Sequence, residues 1–228
     1  MTARLRVIFP TARALYPDSE VEKRTATLRR YCGPDTRLEI GYPANGTTFK
    51  QSLTWKDFEQ TIPEYVKAAK LAEAEGCDAV MVHCVYDPGY EEMRRLLKIP
   101  VVGFGESVFN VAVQIAPRFG MIAPNDSLMK EAYDILDNFG IRDRLAYMAP
   151  LNVELPEAHT KGDLLRQRSV EIARQARVAG AGVIIPFGLA LIPTHLRTED
   201  IREGAGLPIL NPAEIGIREA EIIMAAVK

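Results

Sequence analysis

The chain has 228 residues, 47% of them hydrophobic, enough for one large domain or two small ones with a real core. A net charge of -2 at pH 7 and a pI near 6.0 leave no electrostatic footprint for nucleic acid or an anionic membrane surface. No apolar run reaches the ~20 residues of a membrane helix, no signal peptide is evident ahead of Leu5-Arg6-Val7-Ile8-Phe9, and the three cysteines, Cys32, Cys77 and Cys84, are too few for a disulfide framework. The expectation is a reduced, cytoplasmic protein. Cys77 and Cys84 are seven apart and the three histidines are scattered, so no metal spacing is present.

In chain order, Leu5 to Phe9 reads as a strand, left through Pro10-Thr11-Ala12. A helix follows from Asp18 or Ser19 to about Cys32, stopped by Gly33-Pro34. Arg37 to Gly41 is a second strand, and Pro43 to Thr48 a polar, Gly-bearing loop that reads either as a mobile segment near the site or as a plain connection. Ile62 to Glu75 is a helix with Gly76 as its stop, and Ala79 to Val82 a short buried strand ending at Cys84 and the turn Asp87-Pro88-Gly89. Tyr90 to Leu97 is a helix, Ile99 to Gly103 a strand, and a helix runs from Gly105-Glu106-Ser107 to about Ile115. Arg118 to Ile122 (strand), Leu128 to Phe139 (helix), Leu145 to Met148 (strand), Asp163 to Val178 (helix), Val183 to Ile185 (strand), Leu207 to Leu210 (strand) and Pro212 to Val227 (helix) complete the pass. Strands alternating with helices point to an α/β fold of parallel sheets covered by helices.

The chain also echoes itself. Glu75 to Cys84 lines up with Ala179 to Gly188, Ile99 to Glu106 with Leu207 to Glu214, and Val7 to Thr11 with Met121 to Asn125. Three matches in one order suggest two pseudo-symmetric lobes, expected as residues 1–104 with 212–228, and 105–211. Cys84 and Gly188 then occupy corresponding strand ends facing an interlobe cleft.

Open α/β sheets hold ligands outside the carboxyl ends of their strands, which makes Cys84 the candidate catalytic residue. A thiolate acts as base or nucleophile only if its pKa is lowered, and the backbone N–H groups of Val85, Tyr86 and the following helix start are expected to favour both thiolate and substrate carboxylate. Cys77 and Cys32 read as inert. Candidate substrate-binding positions are Thr11, Val85, Tyr86, Asn125, Phe187, Gly188, Leu189 and Ala190, against plainer readings: Thr11 and Asn125 as turn or cap residues, Phe187 as a space filler. His83, Tyr86, His159 and His195 are candidates for a second acid. Gly103-Phe104-Gly105 opens a dinucleotide fingerprint that fails at Val108.

The run from Gly76 through Cys84, Asp87, Pro88 and Gly89, together with Ile99-Pro100-Val101-Val102-Gly103 to Glu106 and Arg118-Phe119-Gly120, resembles the aspartate/glutamate/hydantoin racemase superfamily, and the hydantoin and allantoin racemase branch in particular. The resemblance implies two α/β lobes, no cofactor, and a site between the lobes where one cysteine from each moves the α-proton. Here Phe187-Gly188-Leu189-Ala190 stands where the second cysteine is expected, and Phe9-Pro10-Thr11-Ala12 replaces the opening Asn-Pro-Asn-Thr of many relatives. The expected function is a cofactor-independent racemase or isomerase-type enzyme acting next to a carboxylate or amide carbonyl through Cys84. A single-thiol decarboxylase, a cis-trans isomerase, a C–N hydrolase and a non-catalytic binding module remain alternatives. The expected partner is a small-molecule carboxylate or cyclic amide, and the expected assembly a homo-oligomer.

Overall fold

In a computed structural model, residues 2–45, 54–154, 157–158 and 160–227 are described. The loop expected from Pro43 to Thr48 is therefore covered only to Asn45, and His159 lies outside the described residues.

The elements are β1 (Ala3–Ile8), α1 (Asp18–Arg29), β2 (Thr36–Gly41), α2 (Trp55–Glu59), α3 (Ile62–Ala74), β3 (Ala79–Val82), α4 (Tyr90–Leu96), α5 (Phe104–Ile115), β4 (Phe119–Ala123), α6 (Asp126–Asn138), β5 (Leu145–Pro150), α7 (Gly162–Val178), β6 (Val183–Pro186), α8 (Thr198–Ala205) and α9 (Pro212–Ala226). They form an α/β fold of two parallel three-stranded sheets with helices, ordered β2-β1-β3 and β5-β4-β6. Two compact units divide the chain: residues 1–49, 56–107 and 213–228, and residues 50–55 with 108–212.

In each unit the middle strand is apolar where it is covered. Leu5, Val7 and Ile8 of β1 and all four residues of β3 are buried, and so are all of β4 and β6. Strands buried on both faces read as continuous apolar runs rather than alternating ones. In the second unit α7 turns Leu165, Ser169, Ile172, Ala173 and Ala176 toward the sheet, the spacing of a helical stripe. Gly120 of β4 lies beneath it: a Cβ there would sit 2.5 Å from the Ala176 Cβ and 2.8 Å from the Ile184 Cδ1, so the helix seats on a bare backbone.

Two expected strands are not strands. Ile99 to Gly103 contributes one parallel bridge, Val80 with Val101, and Leu207 to Leu210 one bridge, Ile184 with Ile209. In both, a proline carbonyl accepts the inward N–H (Val80 to Pro100 at 3.0 Å, Ile184 to Pro208 at 2.9 Å), and the chain turns into a helix a few residues later, at Phe104 and at Pro212. Proline has no N–H to extend a ladder. Helices α2 and α8 are also absent from the expectation drawn from the sequence. Ile201 and Ala205 of α8 are buried, but eight residues give too few turns for periodicity to stand out.

Candidate functional site

The first unit builds its site where β1 and β3 end side by side. Ile8 pairs with Val82, and the His83 N–H donates to the Ile8 carbonyl at 2.8 Å. The ladder stops there. The Cys84 N–H bonds the Val82 carbonyl at 2.7 Å, a tight local turn, and the Asp87 N–H bonds the Cys84 carbonyl at 3.2 Å. Asp87 has a positive φ of 44° and Gly89 one of 75°, the latter ahead of α4. Asp tolerates the left-handed region better than most side chains and Gly takes it freely, which explains the Asp87-Pro88-Gly89 run.

Cys84 is buried, 7% exposed. Burial pushes its thiol up to about 12, against a hydrogen bond from the Tyr86 backbone N–H and the positive charge of Arg24, while Asp87 adds to the rise. The acidified thiol expected from loop and helix dipoles is therefore not what the fold provides. The dipoles are present, and desolvation of the thiolate exceeds them. Cys32 is likewise raised to about 11 by burial, and Cys77 is raised by burial as well. Cys77 donates to Glu39 Oε2 at 3.8 Å among the arginines at the opposite end of the sheet.

Several neighbours of Cys84 were not anticipated. On α1 the buried face at four-residue spacing is Glu20, Arg24 and Leu28, two charges where an apolar stripe is usual. Arg24 Nε donates to Glu20 Oε1 at 2.6 Å and Arg24 Nη1 to the Tyr16 hydroxyl at 3.2 Å, with the guanidinium 5.2 Å from the Tyr16 ring centre. Thr11, 2% exposed, hydrogen-bonds the Tyr16 hydroxyl through its side chain and backbone. The Tyr65 hydroxyl donates to the Pro10 carbonyl at 3.1 Å. Burial raises the pKa of Tyr65, and the nearby Cys84 adds to the rise. His83 packs between Phe9 (4.9 Å) and Phe104 (6.0 Å), and burial, with Arg24 second, lowers it to about 3. It stays a neutral ring at physiological pH. A buried Glu–Arg pair four apart was readable in the sequence, yet nothing local distinguishes it from a solvent-facing helix pair.

Thr11, Cys84, Val85 and Tyr86 thus gather in the first unit. Asn125, Phe187, Gly188, Leu189 and Ala190 gather in the second, beyond β4 and β6. Asn125 caps α6, its Oδ1 accepting from the Leu128 N–H at 2.8 Å. Phe187 is fully buried, stacked on Phe109 at 5.2 Å, and fills space. A Cβ at Gly188 would meet Pro124 Cγ at 2.9 Å. The Gly188 carbonyl accepts from the Leu191 and Ile192 N–H groups, and the Leu189 carbonyl from the Thr194 hydroxyl at 2.7 Å. His195 sits just past that turn, half-buried, its backbone N–H bonded to the Leu191 carbonyl at 2.8 Å. Among the described residues no three His, Cys, Asp or Glu side chains gather as a metal would need, and no helix is long and apolar enough to cross a membrane.

The sequence profile of the Asp/Glu/Hydantoin racemase family matches residues 19–220. The chain belongs to this family. A hydantoin racemase from Pseudomonas sp. (strain NS671) is 28% identical over 196 residues, 83% of this chain and 75% of that protein. One from Rhizobium meliloti is 23% identical over 173 residues, 75% of this chain and 70% of the relative. Among solved structures, allantoin racemase from Klebsiella pneumoniae superposes with a TM-score of 0.84 at 18% identity, covering 99% of this chain and 89% of its own. Arylmalonate decarboxylase superposes at 0.64 and 14% identity, over 99% and 94%. At these identities the solved structures establish the two-lobe α/β fold.

Proposed function

We propose that the protein is a cofactor-independent, isomerase-type enzyme of this family, acting on a carbon next to a carboxylate or amide carbonyl, with Cys84 as the group that exchanges a proton with that carbon. One observation carries the reading: the Cys84 thiol lies just past the carboxyl end of β3, with the Tyr86 N–H on its sulfur, in a chain whose relatives are named hydantoin racemases. As base, the thiolate takes the α-proton, the C–H pair becomes a C=C bond as the C=O π pair moves onto oxygen, backbone N–H groups such as those of Val85 and Tyr86 hold the resulting oxyanion, and a proton from water returned to the opposite face completes the isomerisation. At a thiol pKa of about 12, ionisation at pH 7 costs on the order of 7 kcal/mol at 1.36 kcal/mol per unit. Substrate binding must offset that cost for the thiolate to act.

The same high pKa favours a second reading. A thiol that is protonated at rest is ready to give its proton to an enediolate left by loss of CO₂, which needs one proton delivered to one face. The corresponding strand end of the second unit carries Gly188 and no thiol, and a single thiol suits one-sided delivery. The deciding experiment incubates the purified protein with single-enantiomer allantoin, with a 5-substituted hydantoin and with an arylmalonate in D₂O. Optical rotation, deuterium uptake, CO₂ and ammonia are followed, each with the wild type and with Cys84→Ala. Racemization with deuterium uptake, lost in the variant, supports the first reading; CO₂ release lost in the variant supports the second. Ammonia release points to a C–N hydrolase, and turnover that survives Cys84→Ala removes both readings.

A further inference from the structure

The segment from His83 to Tyr90 is held at more than its two strand and helix ends. The Asp87 Oδ2 accepts from the Gly105 N–H at 2.9 Å and from the Glu106 N–H at 3.0 Å, two of the donors that the first turn of α5 cannot satisfy within the helix. Gly103 and Gly105 leave room for this approach. A Cβ at Gly103 would fall onto the Asp87 carboxylate, 2.7 Å from its Cγ, and the three atoms nearest it all belong to Asp87. A Cβ at Gly105 would fall onto the Val85 carbonyl oxygen and 2.9 Å from Asp87 Oδ2. A second tie joins the same elements: the Tyr90 hydroxyl donates to Glu106 Oε2, and Arg94 Nη1 donates to the Tyr90 hydroxyl at 3.1 Å.

We propose that Asp87 is a positioning residue for Cys84: its carboxylate pins the cysteine-bearing loop to the amino end of α5, and Gly103 is a glycine because that contact leaves no space for a side chain, as the Val85 carbonyl does at Gly105. Asp87 and Cys84 are joined directly, the Asp87 N–H to the Cys84 carbonyl, so the pin fixes the backbone from which the sulfur projects. The charged and titratable groups near the pin are Glu106 and Tyr90, with Arg94 behind them, and Cys84 itself. The importance of the pin to turnover rests on Cys84 being the reacting group; its existence does not, and the test reads thiol chemistry alone.

The full-length protein is treated with iodoacetamide at pH 8. Modification of Cys84 is timed by peptide mass spectrometry, with Cys77 in the same protein as reference. Asp87→Asn removes the charge but keeps an oxygen that accepts the two N–H groups, whereas Asp87→Ala removes both. The ratio of the Ala to the Asn variant therefore reads the pin apart from the charge. Loss of the two hydrogen bonds that the Asn oxygen still accepts predicts a ratio of about tenfold at Cys84 and about one at Cys77. Gly103→Ala is expected to speed Cys84 in the wild type and to have a much smaller effect in Asp87→Ala, because its three nearest obstacles are then gone. A ratio near one at Cys84, or effects of Gly103→Ala and Asp87→Ala that simply multiply, overturns the proposal. Should Asp87→Ala fail to fold, Gly103→Ala is set against Gly182→Ala, whose Cβ would also stand too close to a neighbour, 2.8 Å from the Ala116 Cβ, in the other unit. Equal effects of these two on Cys84 also overturn it. If Cys84→Ala keeps turnover while these results hold, the proposed function falls and the pin stands.

Discussion

In the first unit the His83 N–H bonds the Ile8 carbonyl at 2.8 Å; in the second the Phe187 N–H bonds the Ile122 carbonyl at the same distance. The correspondence continues outward. Cys77 bonds back to Ala72 as Ala181 does to Ala176, and Val102 to Val80 as Leu210 to Ile184. One backbone plan therefore serves both sheets, and the differences lie in what hangs from it. Cys84 ends one copy and Gly188 the other. Arg6 of β1 is held by Glu39 and Glu75 at 2.7 Å each, while its counterpart Gly120 pairs across the ladder with Tyr147, whose hydroxyl donates to Gln175. The first unit has a thiol at one end of its sheet and an ionic network at the other. The second has neutral polar groups and close helix packing in the same places. A repeated scaffold fixes backbone geometry and leaves chemistry free to diverge.

The sharpest way to break this comparison is at the strand ends. Cys84→Ser is expected to lower turnover on whichever of the substrates above is active by roughly 1,000-fold, read by polarimetry or CO₂ release. Gly188→Ala, which adds a Cβ against Pro124, should instead leave the chemistry within a small factor. It should lower thermal stability by about 1 kcal/mol, or roughly 2–4 °C in Tm. A large activity loss in the second variant with intact stability would mean that the second strand end, too, takes part in the reaction.

Next in size is the packing beneath the helices. Gly120→Ala drives a methyl into Ala176 and Ile184 and should cost about 1–3 kcal/mol in denaturant unfolding. Gly41→Ala in the first unit meets Arg6 Cδ at 3.2 Å and Ile8 Cγ1 at 3.4 Å, looser contacts, and should change stability by about 0.5 kcal/mol or less.

Smaller effects separate the units by pH. Hydrogen bonds from Arg4 and Arg6 hold the Glu39 carboxyl down at about 2. Its contribution to stability is present above the ordinary carboxylate value and is lost as pH falls through about 2. Hydrogen exchange between pH 5 and pH 2 should therefore show β1, β2 and β3 loosening more than β4, β5 and β6, and Glu39→Gln should reduce the difference. With the Cys84 thiol at about 12, its alkylation should rise about tenfold per pH unit from pH 6 to pH 10 with no plateau. A plateau below pH 9 would show a thiol more acidic than its burial allows.

Much of the scaffold was legible from residue order. The alternation of apolar runs with helical stripes follows from burying one face of each element, and the internal echo from Glu75 to Cys84 against Ala179 to Gly188 follows from the shared turn and strand pattern. Cys84 was legible as a strand-end thiol for the same reason. The short outer segments at Ile99 and Leu207 read as strands because Ile, Val and Leu favour that state, yet a proline in each confines the pairing to one bridge. The sequence by itself determined the α/β class, the family, and the position of Cys84 at the carboxyl end of a strand. Only the tertiary structure decided that burial raises this thiol's pKa, that Glu20 and Arg24 face inward with Arg24 near it, and that Asp87 reaches Gly105 and Glu106. Desolvation and contacts between residues far apart in the chain exist only once the chain has closed on itself, and no local pattern encodes them.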